Sequence, residues 1–214
     1  MKNNGERHAL FEILSACVIA LTTVLTAWSA YQSNLWSGAQ TFALQEATEQ
    51  NTIAAEKAVV AQQRQTWDGI LVLNFSNAWF EGKTQLADQY RARVRPELRE
   101  AIDAWLATKP LENPNGPPHP LAMPVYGEKV TARSNSEINE YKQAAQKATD
   151  RANKASNISD KYVLMTVLLA SVLFFEAVSS RFKAPKVANS LLVFAFLMFT
   201  AIACVLVTFP IAHS

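Results

Sequence analysis

Two carboxylates stand inside stretches of sequence that carry no other charge. Ala9–Ala30 contains only Glu12, and Tyr162–Ser180 contains only Glu176. A charged group in a hydrocarbon-like segment is costly, so it is read first as functional: part of an ion or proton path, or a contact between helices or subunits. The plainer alternative is hydration and snorkelling, because each residue lies near one end of its segment. If the two segments pack antiparallel, the carboxylates lie at similar depth. Ser15, Ser179, Ser180, Arg181 or Lys183 would then satisfy them. Of these readings, a structural or oligomer-contact role is preferred.

A second group with chemical potential is Arg91, Arg95 and Arg99, spaced every four residues with Arg93 between them. A helix continuing through Pro96 would present them as a basic stripe suited to an anion or lipid headgroup. The preferred reading is local ion pairing with Asp88, Glu97, Glu100 and Asp103, at tenths of a kcal/mol per pair. Little other chemistry is legible. His8, His119 and His213 have no metal-ligand spacing and complete no nucleophile–base set. Six glycines form no phosphate-binding loop. Cys17 and Cys204 fall within apolar segments and are expected to be buried small residues, with neither a disulfide framework nor a metal knuckle. The chain reads as non-enzymatic, with no cofactor and no metal.

The elements that must hold these residues follow from how hydrophobicity is distributed. Half of the 214 residues are hydrophobic, yet the mean hydropathy is only +0.01 because the apolar residues are segregated. Val187–Ile211 carries no charge at all. Runs of this length match a hydrocarbon core of about 30 Å at about 1.5 Å per helical residue. Three membrane-spanning helices are therefore expected, at 9–31, 162–180 and 187–211, with the lipid bilayer as the first partner. The first is longer than a signal-peptide core and runs directly into Trp28, Tyr31 and Trp36, so a retained anchor is expected. Those three aromatics suit a membrane–water interface. A fourth greasy stretch, "GILVLNFSNAWF" at 69–80, is too short to span and is expected to be a buried helix.

Lys2 and Arg7 in the tail (1–8) and Arg181, Lys183 and Lys186 in the short loop (181–186) must lie on one side, which the positive-inside rule makes the cytoplasm. Residues 32–161 and the end of the chain (212–214) then face outward. From Gln32 to Asp160 there are 14 basic and 15 acidic residues, too balanced for a nucleic-acid partner.

No proline precedes Pro96, and none occurs between Glu128 and Phe182. Each of these ends of the outer region is expected to continue its span as one unbroken helix. The result is an antiparallel stalk (32–66 and 128–161) beneath a helical cap and Pro-rich strap (67–127). A packing seam of small residues at a 4–3 spacing is expected. It runs through Ala16, Ala20, Thr23, Ala27 and Ala30, continuing to Ala58, on the first helix. On the last it runs through Ala152, Ser156, Ser159, Ala170 and Ala177.

The strings "AWSAYQSNLWSGAQ", "RPELREAIDAWLATKPLENPNGPPHPLAMPVY" and "DKYVLMTVLLASVLFFEAVSSRF" stand at 27–40, 95–126 and 160–182. They resemble a widespread family of uncharacterised bacterial proteins with three membrane spans and a periplasmic insert. The Pro-rich NPxxPPxPxxMPxY string is the most specific part. The resemblance implies a bacterial inner membrane with the N-terminus in and the C-terminus out, and it brings no catalytic residue. It also implies a small apolar residue where this chain has Glu176. Long Ala/Gln-rich helices with weak apolar faces need neighbours to cover them. The functional expectation is thus a self-associating scaffold, accessory subunit or partner-binding module, as a homo-oligomer or within a larger complex. The alternatives are a channel or transporter subunit with Ser15, Thr22, Thr26, Ser29 and Ser33 lining a path, and a periplasmic sensor with a ligand beside Trp67, Trp79 or Trp105.

Overall fold

The computed structural model describes residues 3–113, 115–182 and 184–212, with side chains from residue 13 onward except that of Pro185. All regular structure among them is helical. The elements are α1 (Asn3–Phe80), α2 (Thr84–Arg93), α3 (Pro96–Ala107), a 3₁₀ turn (Pro120–Ala122), α4 (Pro124–Tyr126), a π-helical stretch (Gly127–Ala132), α5 (Arg133–Ser179) and α6 (Pro185–Leu206). Three segments are long and apolar enough to cross a membrane: Ile13–Phe80, Pro124–Ser179 and Lys186–Leu206.

The first helix does not end at residue 66. It absorbs the stretch that the sequence suggested as a separate cap helix and stops only after Phe80. Nothing in "TWDGILVLNFSNAWF" opposes it except Gly69, which costs only about 1 kcal/mol. The stop is a Schellman cap: Gly82 takes φ +72°, its N–H donates to Trp79 O at 3.1 Å, and the Lys83 N–H donates to Ala78 O at 2.9 Å. The break between α2 and α3 has a different cause. Pro96 pushes its predecessor out of the helical region, and both Val94 and Arg95 are extended. Arg91, Arg95 and Arg99 therefore do not share a continuous helix, and the basic stripe that such a helix would have presented does not form.

The chain divides into two compact units. The first comprises residues 1–45 and 148–214, and thus the apolar parts of α1, α5 and α6. Here α5 and α6 run antiparallel, with Phe175 against Phe194 (ring centroids 5.1 Å apart) and Tyr162 against Phe209 (5.3 Å). Their core includes Val18, Tyr162, Leu169, Val172, Ala195, Ile202 and Leu206.

The packing stripe of α1 has the expected 4–3 spacing but a different phase. Ala16, Ala20, Thr23, Ala27 and Ala30 are exposed, and the buried residues of this unit are Val18, Thr22, Ser29, Gln32, Ser33 and Ala43. The two stripes lie two residues apart, or about 200° round the helix. On α5, Ala152 and Ser159 are buried and Ser156 is half-buried. Beyond them, however, the stripe runs through Tyr162, Met165, Leu169, Val172, Glu176 and Ser179, leaving Ala170 and Ala177 exposed. Lipid accepts alanine as readily as a helix neighbour does, so small size alone does not select the inner face. Cys17 and Cys204 are exposed on this unit as well, not buried.

Ala152 is almost fully buried. Ala152→Leu should destabilise the first unit by about 1–3 kcal/mol through overpacking, whereas Ala27→Leu, on the exposed face, should be close to neutral. Thermal unfolding in detergent, followed by circular dichroism, checks the pair.

The second unit comprises residues 46–147. Its core joins Val72, Phe75 and Ala78 of α1 to Ala87, Val94, Leu98, Ala101, Ile102, Trp105, Tyr126 and Val130. The Pro-rich segment closes over it. Pro120 is buried, Leu121, Met123 and Val125 pack on the core, and the Trp105 Nε1–H donates to Pro117 O at 2.8 Å. The 69–80 stretch is buried on one face only: Ile70, Leu73 and Phe80 are exposed.

Candidate functional site

In the first unit, the aromatic residues at the end of the apolar part of α1 divide into two kinds. Trp28 and Tyr31 are exposed, with ring centroids 6.1 Å apart and planes tilted by 42°, while Trp36 is half-buried. The Trp36 Nε1–H and the Tyr162 hydroxyl both donate to Pro210 O, at 3.2 Å each. Gln32, fully buried, completes the clamp. Its Oε1 accepts the Ala212 N–H at 2.8 Å, and its Nε2 donates to Ala212 O at 3.4 Å. The residues after α6 are thus tied to α1 through backbone groups that no helix satisfies. Beside the clamp, the Ser159 hydroxyl lies 3.0 Å from the hydroxyls of both Ser33 and Ser37 and donates to Ser33 O. The seam expected from the sequence includes Ser159 but not Ser33 or Gln32, and the Gln32–Ala212 link joins residues 180 apart, beyond the reach of any local spacing.

Glu176 is only 3% exposed, and neither carboxylate oxygen has a hydrogen-bond partner among the described residues. None of the candidates suggested by the sequence serves it where described. The Ser179 hydroxyl donates to the Glu176 backbone carbonyl at 2.8 Å, the Ser180 hydroxyl donates to Ala177 O, and Arg181 is exposed. The side chains of His8 and Glu12, along with Lys183 and His213, lie outside the described residues.

The second unit contains the buried ion pair. Asp68 of α1 accepts from the Arg95 guanidinium and from the Tyr126 hydroxyl at 2.6 Å. Asp68 is almost fully buried and Arg95 partly so. The three arginines therefore turn inward or along the backbone. Arg91 pairs with Asp103 at 2.5 Å. Arg99 donates to the carbonyls of Arg91, Ala92 and Val94 at 2.8–3.2 Å, capping the end of α2.

Burial, and then the Asp68 carboxylate beside it, push the Tyr126 phenol well above the usual tyrosine range. A group whose pKa is raised on folding stabilises the fold below its unfolded value, about 10 for tyrosine, and loses that contribution as the pH climbs through the folded value. Tyr126→Phe should lower the stability of this unit by about 1.5–3 kcal/mol at neutral pH, the range for a hydrogen bond to a charged group. It should also remove part of the alkaline loss of stability. Denaturant melts at neutral and alkaline pH test both effects.

The same unit leaves an apolar face of α1 uncovered. Val60, Trp67 (66% exposed), Ile70, Leu73 and Phe80 are all exposed along it; Ile70 and Leu73 lie opposite the core residues, while Phe80 borders Trp105. Leu73 and Phe80 also border a groove of about 340 Å³ whose other walls include Val72, Ser76, Pro118, His119 and Leu121. Of the three tryptophans suggested for a sensor, Trp105 is sealed in the core and Trp67 lies in the open.

No family model, curated protein or solved structure matches the chain. The fold itself defines the class: an all-helical protein with three helices long and apolar enough to span a membrane.

Proposed function

We propose that this chain is a non-enzymatic membrane scaffold that associates with a second copy of itself through the uncovered face of α1 in the second unit. The observation that carries this reading is the stripe Val60–Trp67–Ile70–Leu73–Phe80, spaced seven, three, three and seven residues apart, which leaves large side chains in the open. Exposed apolar side chains at helical spacings are what a neighbouring helix covers, and the groove beside Leu73 and Phe80 offers space for one of its side chains. A large exposed apolar patch on a folded unit marks an interaction surface. The three apolar helices anchor the chain. The basic residues of the tail and short loop favour a bacterial inner membrane with the second unit on the periplasmic side.

The channel alternative draws no support from the hydroxyl stripe. Thr22, Ser29 and Ser33 are buried within one chain and are closed to a path between copies.

A photo-crosslinking amino acid at Leu73 should give a chain-to-itself adduct in native membranes, and one at Arg93, exposed on α2, should not. Equal crosslinking at both positions would remove the basis for the assignment.

A further inference from the structure

Glu176 is not used by the contact just proposed, and its surroundings point to a separate role. Ser33 and Ser37 both meet Ser159. With α1 and α5 antiparallel and rising equally, Glu176 is level with about residues 16–20 of α1. The buried residue there is Val18. On α6, the Phe175–Phe194 contact fixes the same level, where Ala195 is fully buried. Neither neighbour offers a hydrogen bond. Helical side chains lean toward the N-terminus of their own helix. In this antiparallel pair Glu176 therefore leans toward Thr22, and Thr22 toward Glu176. The Thr22 hydroxyl is also fully buried with no partner among the described residues.

Among the described residues, the charged and titratable groups on all three helices leave the carboxyl uncompensated. Arg181 on the α5 side and Lys186 on α6 are exposed, as are Cys17 on α1 and Cys204 on α6. The side chains of Glu12 and Lys183 lie outside the described residues. A buried carboxyl with no counter-charge and no donor is stable only as the neutral acid. It lies three residues from the end of α5, about 5 Å along the axis, so the path to solvent at the basic-loop end is short.

We propose that Glu176 is an intramembrane proton-binding site, with Thr22 as the polar group facing it. Binding is simple protonation: the carboxylate takes up one proton from the basic-loop side and releases it there.

The test uses the full chain in native membranes and dicyclohexylcarbodiimide. This apolar reagent takes up a carboxylic acid and rearranges to an N-acylurea, so the whole reagent is added and nothing leaves. At neutral pH, peptide mapping should place one equivalent on Glu176. The label should fall as the pH is raised and be lost in Glu176→Gln. A second readout covers a site too tight for the reagent: an infrared band of un-ionised carboxyl in the purified wild-type chain that is missing in Glu176→Gln. Either readout supports the site. The proposal is overturned if the wild-type chain shows neither at neutral pH. It is also overturned if sodium ions suppress the label at constant pH, which would make the site one for a metal cation.

Discussion

Asp68→Ala should strongly destabilise the second unit. Asp68 lies on α1, and its carboxylate is the shared acceptor for Arg95, from the break between α2 and α3, and Tyr126, from α4. Removing it leaves the Arg95 guanidinium partly buried without its counter-charge and the Tyr126 hydroxyl buried without an acceptor. Breaking a buried pair from one side typically costs about 3–5 kcal/mol. Arg95 retains a quarter of its exposure and reaches some water, which places the expected loss at the lower end of that range. Against a total stability of about 5–15 kcal/mol for a domain, this is a large fraction. Exchanging Asp68 and Arg95 together for apolar residues of similar size should cost much less, because the charge and its partner leave together. Denaturant unfolding of the two variants provides the comparison. Equal losses would mean that the pair contributes by packing volume and not by charge.

Trp105→Ala should be as damaging, through a different mechanism. The indole is the hub of the second unit's core. It makes edge-on contacts with Trp79 at 5.3 Å, Phe80 at 6.1 Å and Phe75 at 6.4 Å, and it holds the Pro-rich segment through the bond to Pro117 O. Truncating a buried tryptophan costs about 3–5 kcal/mol, combining lost transfer energy and a cavity. The prolines above it should then loosen, and limited proteolysis between Pro110 and Pro124 should accelerate. Trp67→Ala is the matched control. That residue is largely solvent-exposed, so its loss should leave the melt unchanged while weakening association.

The three apolar helices and the helical class were legible because charge-free runs of such length have few other uses. The phase of the α1 stripe was not. Its true line includes Gln32, Lys57 and Asp68, residues that a search for small apolar side chains rejects. Gln32 and Asp68 are tolerated inside because their partners arrive from far along the chain: Ala212 for Gln32, Arg95 and Tyr126 for Asp68. Lys57 instead remains accessible and pairs with Glu137 at 2.5 Å. The basic stripe at 91, 95 and 99 depended on a helix continuing through Pro96, and local ion pairing was the preferred reading. Pro96 starts α3 and, by pushing Arg95 into the extended region, also ends the preceding helix. Glu176 was visible as an anomaly from the start. That it faces inward within a single chain, without a described partner, is information only the packing of α1, α5 and α6 supplies.

The most direct measurement of the central claim is the mass of the protein–detergent complex, corrected for bound detergent, for the wild-type chain and for Leu73→Asp. Leu73 is exposed, so the charge should not disturb the fold, and an unchanged melting curve verifies this. Self-association through the α1 face predicts a wild-type mass that is a multiple of 23.7 kDa and a Leu73→Asp mass of one chain. A wild-type chain of single mass, or a multiple that survives Leu73→Asp, would contradict it.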